Sequence, residues 1–260
     1  MATSTLLFAG LCAAAIGLIL GLIGGGGSIL TVPVFVYVLG YPAKEAIAMS
    51  LPVVGATSLV GAIGHWRAGN IQVRVGLAFG VVAMAGSFLG AKLAAYIAGP
   101  VQLLLLGVVM LTSATLMLRS SLKTPTVGDA STVRERSVPA IAAVGFAVGM
   151  LTGIVGIGGG FLIVPALVVL GGVPMKPAIG TSLLVIAMNA VSGFAGYAGT
   201  VVVDWRVMGL VTMVAMAGIV IGTALVKHVS AARLKLFFAI FLMTVAVFVL
   251  YQNRGALFAA

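Results

Sequence analysis

Apolar stretches of about 18 to 23 residues recur along the whole chain, each matching the ~20 residues that carry a helix across a ~30 Å hydrocarbon core. They show no period-2 alternation, which excludes an outer-membrane barrel. With 62% of the 260 residues hydrophobic and only 7% charged, the chain lies far from the composition of a soluble globular domain. It reads as an all-α polytopic membrane protein with lipid as its solvent. The formal charge of +10 invites a nucleic-acid reading, but the basic residues sit in short connectors between apolar segments and form no contiguous patch. No nucleic-acid partner is expected. Cys12 is the lone cysteine, inside an apolar run, so no disulfide forms within the chain and the residue reads as packing. Residues 1–23 have the apolar core of a secretory signal, but residues 1–7 carry no basic side chain and the run continues into a repeated motif. The segment is expected to be retained as a helix.

Sliding the sequence by 132 residues aligns 21–97 with 153–229 without a gap, with about a third of positions identical. Gly24, Gly26 and Gly27 answer Gly156, Gly158 and Gly159; Pro33 answers Pro165, and Pro42 and Lys44 answer Pro174 and Lys176. Arg74 answers Arg206, and the run Ala83-Met84-Ala85-Gly86 recurs at Ala215-Met216-Ala217-Gly218. The expected organisation is a first transmembrane repeat over 1–118, a basic linker over 119–137 and a second repeat over 138–260. Each repeat holds a first helix (6–23; 141–155), a glycine break and a short piece (29–39; 161–170). Three full-length helices follow, at 46–64, 75–97 and 101–118 and again at 178–198, 207–226 and 236–250, for 8–10 membrane segments in all. At 1.5 Å per residue the short piece spans only ~16 Å, which makes it a half-helix or one arm of a re-entrant hairpin.

The linker holds Arg119, Lys123, Arg134 and Arg136, and the positive-inside bias makes it cytoplasmic. If the two copies are inverted, the cytoplasmic face collects ten of the 14 basic residues, leaving Lys44, Lys92, Arg206 and Arg254 outside. A parallel arrangement gives eight against six, so inversion fits better. It also places both termini in the periplasm of a bacterial cell with the chain in its inner membrane.

Matching interrupted helices in inverted repeats point to a transport site near the bilayer midplane. The interruptions are Gly24-Gly25-Gly26-Gly27-Ser28 and Gly156-Ile157-Gly158-Gly159-Gly160. Irregular backbone in the membrane must face protein or water, because an unsatisfied amide in lipid costs several kcal/mol. A half-helix that begins at the break aims its free N–H groups and positive dipole end at that point, which suits an anion. Pro33 and Pro165 are expected near the helix start, where proline is tolerated. The competing reading is that the glycines only permit close helix packing. The expected binding residues are Gly25, Gly26, Gly27 and Ser28 with Gly158, Gly159 and Gly160. Completing the pocket from the next helix are Ser50 and Thr57 in one copy, and Thr181, Ser182 and Asn189 in the other. Ser50 and Thr57 are seven apart, as are Ser182 and Asn189, so each pair shares a helical face. Isolated hydroxyls in membrane helices, however, often bond their own backbone. Lys44, Lys176, Arg67, Arg74 and Arg206 are expected to draw anions toward the vestibules or to snorkel at the interface. His65, Trp66 and Arg67 read as an interfacial anchor, and no second ligand at useful spacing makes His65 a metal site.

The pattern GLIGGGGSILTVP answered by GIVGIGGGFLIVP, each followed by a Pro-x-Lys turn, resembles the sulfite and organosulfonate exporter family TauE/SafE over nearly the whole chain. The resemblance implies export of sulfite, sulfoacetate or a related anion across the bacterial inner membrane, without a cofactor. Ile157 opposite Gly25, and Gly160 opposite Ser28, mean that the two half-sites differ chemically. No Asp or Glu falls inside an expected membrane segment, so an intramembrane carboxylate relay is missing. Electrogenic uniport by rocking of the repeats is the expected mechanism. A gated anion channel, or a transporter of thiosulfate or a carboxylate, would use the same residues. An enzyme would need paired carboxylates, a metal cluster or an activated nucleophile, and the sequence holds none. It sets no oligomeric state.

Overall fold

A computed structural model describes residues 3–122, 138–155, 160–170 and 173–254, so most of the linker and the segment 156–159 lie outside it. Helix α1 (Thr3–Ile23) ends at Gly24, whose φ of 78° turns the chain sharply. Helix α2 (Gly26–Pro33) and a π-helical turn (Val34–Val38) then run back along α1. Gly27 packs on Leu20 and the Ile16 carbonyl, and Val34, Phe35 and Leu39 cluster with Ala9, Ala13 and Ile16. The short piece is thus one arm of a re-entrant hairpin. Helices α3 (Ala43–Arg67), α4 (Val73–Ala94) and α5 (Gly99–Leu122) follow. The second half repeats the order: α6 (Val138–Val155), α7 (Gly160–Pro165) with its π turn (Ala166–Leu170), α8 (Met175–Tyr197), α9 (Trp205–Leu225) and α10 (Ala231–Gln252). The described residues contain no strand, and six helices are long and apolar enough to span a membrane: α3, α4, α5, α8, α9 and α10.

The prolines of the short helices do not lie in the first turn. Pro33 is the last residue of the 8-residue α2 and Pro165 the last of the 6-residue α7. Proline removes an N–H and crowds the carbonyl four residues back, and in both copies the chain continues by widening into a π turn. The helices begin earlier than the apolar pattern suggests because glycines carry no hydropathy signal. Pro42 and Pro174, by contrast, sit just before α3 and α8 with extended ψ of 145° and 149°, where proline stops one element and admits the next.

Glycines also decide which helices pair. Gly17 and Gly21 of α1 lie on the carbonyls of Ala215 and Ile219 in α9, and Gly149 and Gly153 of α6 lie on those of Ala83 and Ser87 in α4. Gly218 and Gly222, and likewise Gly86 and Gly90, return the contact. All four pairs are small residues at i, i+4, the spacing that lets two membrane helices approach to backbone contact. The first helix of each copy therefore packs on the other copy, and the two copies interlock. Between α3 and α8, Gly55 meets Ala190, Gly61 meets Leu183 and Gly193 meets Leu51, so these equivalent helices run in opposite directions.

At one end of the bundle Asp204 caps α9, accepting from the Arg206 and Val207 amides at 3.1 Å each, and the Tyr41 hydroxyl donates to its other oxygen at 2.8 Å. The Val207 amide, and then the Tyr41 hydroxyl, hold the Asp204 carboxyl below its usual range, while burial and the carboxylate push the Tyr41 phenol up to about 12. A depressed carboxylate stabilises the fold above its unfolded pKa of about 3.9 and loses that contribution as pH falls through the lower folded value. Thermal unfolding in detergent is therefore expected to show an acid-side loss of stability below about pH 4 that Asp204→Asn reduces.

Candidate functional site

The first break meets the start of α7 inside the bundle. A Cβ built on Gly160, at the start of α7, would stand 2.5 Å from the Gly25 Cα and would also overlap the Ile186 side chain. Ile186 is the middle residue of the 23-residue α8, so the junction lies about halfway along a membrane-spanning helix. A Cβ on Gly24 would stand 2.8 Å from Ser182 Oγ on that same helix. Ser182, Ile186 and Asn189 share one face of α8 by their spacing, and the first two contact the breaks. Gly158 and Gly159 lie outside the described residues, so the second break is known from Gly160 onward.

Six polar side chains singled out by the sequence, Ser28, Ser50, Thr57, Thr181, Ser182 and Asn189, are completely buried. Four of the hydroxyls donate back to their own helix: Ser28 to Gly25 O at 2.6 Å, Ser50 to Ile47 O at 2.7 Å, Thr57 to Val53 O at 2.6 Å and Ser182 to Ile179 O at 2.8 Å. Thr181 accepts the Gln72 amide at 2.9 Å and ties the α3–α4 connector to α8. Asn189 alone of the six is left with neither its Nδ2 nor its Oδ1 bonded. Such an orphaned amide costs about 1–3 kcal/mol and asks for a partner that folding does not supply. At the first break, Gly25 precedes α2 as its N-cap and no side chain caps the helix, so its first-turn N–H groups have no capping partner. No lysine, arginine or carboxylate is buried among the described residues, so whatever binds here meets neutral dipoles only.

The helix ends that precede the breaks are held by residues that pattern reading missed. His65 Nε2 stands 3.2 Å from the Gly21 carbonyl, an acceptor, so this nitrogen carries the hydrogen. At the equivalent position of the other copy the Tyr197 hydroxyl donates to the Gly153 and Ile154 carbonyls at 3.1 and 3.2 Å, with Gln102 Nε2 adding a bond to Ile154 O at 3.3 Å. A helix that stops in mid-membrane leaves carbonyls without intrahelical partners, and these side chains answer that need. His65 is thus buried completely, not placed at the interface with Trp66 and Arg67, which are exposed. The signal was present in the sequence: His65 and Tyr197 are 132 apart, and each follows a glycine, Gly64 or Gly196.

The basic residues occupy the two ends of the bundle. Lys44 donates to the Ala95 carbonyl at 2.9 Å, just beyond the C-terminus of α4, where a cation also suits the helix dipole. Arg206 is exposed at this same end. Arg67 and Arg74 are exposed at the other, with half-buried Lys176. The described residues contain no cluster of three metal-ligating side chains.

The family model for the sulfite exporter TauE/SafE matches residues 9–249. A probable membrane transporter protein of Xylella fastidiosa is 35% identical over 247 residues, covering 94% of each chain. A probable membrane transporter protein of Bacillus subtilis is 34% identical over 222 residues, 85% of this chain and 90% of its own length. No solved structure matches. With a match that runs from α1 into the last turn of α10, the chain belongs to the TauE/SafE family of membrane transporters.

Proposed function

We propose that this multi-pass membrane transporter exports small sulfur-containing anions, such as sulfite, sulfoacetate or another organosulfonate, binding them between the two breaks. One observation carries the reading: the Asn189 amide is buried and unpaired on the α8 face that meets the breaks. A sulfite or sulfonate group offers several oxygen acceptors, and the open amides of α2 and the Asn189 Nδ2 offer donors without a competing cation. Neutral recognition lets the anion leave, which a buried lysine would hinder. The opposed directions of α3 and α8, and the basic residues at one end, support an inverted arrangement with that end cytoplasmic. Because α1 and α6 are exchanged between copies, alternating access would move each broken hairpin against the α3–α8 pair instead of rocking two separate halves.

Expelling a monoanion from a cell with negative interior potential gains ~2.3 kcal/mol per 100 mV, enough for a gradient of tens-fold without a coupling ion. Sulfite efflux from proteoliposomes at clamped pH is therefore expected to rise with an inside-negative potential. A flux that ignores the potential and follows a proton gradient strictly would overturn electrogenic uniport.

A further inference from the structure

A second group of unpaired polar atoms lies away from the breaks, where the C-terminal ends of α3 and α9 leave a cavity of about 440 Å³. His65 and Thr223 are among the residues that line it, and His65 Nδ1 and Thr223 Oγ1 are buried without a hydrogen-bond partner. His65 is completely buried, and its Nε2 is already committed to Gly21 O, so its Nδ1 is left as an unpaired acceptor. The rim carries Arg67, Lys227 and Asn70, while the walls are Ile63, Val220 and Ala224, exposed on the outside of the bundle. No acidic side chain answers the two cations: Glu45 and Asp204 sit at the opposite ends of α3 and α9, and Asp129 and Glu135 lie outside the described residues.

We propose that this groove holds an anionic phospholipid whose head group carries a hydroxyl. The shape of the chemistry selects it. Arg67 ends α3, and Lys227 lies in the turn after α9, so both stand where head groups meet the hydrocarbon core of a membrane-spanning chain. Basic pockets between membrane helices on the face richest in lysine and arginine suit lipid phosphates. The C-terminal dipoles of α3 and α9 each put about half a negative charge nearby, and the two full cations outweigh them. Thr223 Oγ1 supplies a donor to a phosphate oxygen, whereas His65 Nδ1, as an acceptor, needs a hydroxyl that a bare phosphate ester lacks. The apolar walls take the acyl chain. A free inorganic phosphate would use the rim and leave those walls, exposed to lipid in any case, without a role.

The groove bears on the breaks through its floor. The Thr223 side chain packs against Gly64, where an added Cβ would come within 2.9 Å, and His65 bonds the last turn of α1 three residues before Gly24. A lipid seated here therefore braces α1, α3 and α9 around the first hairpin.

The test is native mass spectrometry of the detergent-solubilised full chain, incubated with phosphatidylglycerol, with phosphatidylcholine or with inorganic phosphate. Wild type is expected to retain phosphatidylglycerol over phosphatidylcholine, and the Arg67→Gln/Lys227→Gln pair to weaken that retention by roughly tenfold or more. Lys92→Gln/Arg254→Gln, which lowers the charge equally at the other end, should leave retention unchanged. Thr223→Val, nearly isosteric, tests the cavity itself should the double variant fail to fold, and is expected to weaken retention too. Equal retention of the two lipids, insensitivity to both groove changes, or displacement of the lipid by millimolar phosphate would overturn the proposal. None of these readouts involves transport, so the anion site between the breaks can fail or stand independently.

Discussion

Asn189→Leu should stop anion flux while leaving the protein as stable as before, or more so. Leucine has nearly the shape of asparagine and brings no polar atom, so the substitution removes a buried amide that makes no bond in the folded chain. Relieving that burden is worth about 1–3 kcal/mol, which for a chain of this size raises the melting temperature by a few degrees. Ordinary polar-to-apolar changes that break a bond move stability the other way, and so the combination of a raised melting curve with lost transport is diagnostic. Parallel melting and proteoliposome efflux measurements check it. Unchanged efflux in a folded Asn189→Leu protein would return the residue to an unexplained orphan.

Gly27→Val is expected to prevent the first hairpin from closing, with loss of most folded protein. An added Cβ there would collide with the Ile16 carbonyl and stand 2.7 Å from Leu20 N and Cβ, so the obstacle is mostly backbone. Overpacking against side chains costs typically 1–3 kcal/mol, and a collision with a helix backbone, which cannot rotate away, costs more. The measurement is the yield of monodisperse protein after size exclusion in detergent. Gly40→Ala is a suitable comparison: a Cβ there meets nothing within 4 Å, although its φ of +76° costs some strain. A Gly27→Val protein that purifies and melts like wild type would show that α2 does not lie against α1.

Much of the fold was legible in the sequence because hydropathy and repetition report directly on what lipid demands. The six spanning helices coincide with the full-length helices read from the apolar runs, and the short pieces after each glycine run appear as α2 and α7. Partner choice was not legible. The pairs Gly17/Gly21 and Gly149/Gly153 mark faces suited to close approach, but periodicity says nothing of whose carbonyls they meet, and the answer is the other copy. The π turns after Pro33 and Pro165 escaped for a related reason: helix widening leaves no mark on hydropathy.

For the candidate site, the residue types were readable and their states were not. Ser28, Ser50, Thr57 and Ser182 are buried, yet their hydroxyls already donate to their own helices, so in this conformation they offer an anion lone pairs and not hydrogens. Asn189 could not be told from them by position, because it differs only in having no local carbonyl that its amide satisfies. His65 and Tyr197 fell among aromatic residues at helix ends, where membrane chains commonly place interfacial anchors, so their duty to the carbonyls of α1 and α6 was hidden.

The most direct measurement is sulfite affinity by isothermal titration for wild type and for Asn189→Asp, which keeps the side-chain shape and sets a negative charge on the α8 face beside the breaks. If the anion is held between the Asn189 amide and the open end of α2, wild type binds and the aspartate variant does not. Equal affinities in two folded proteins would contradict the site.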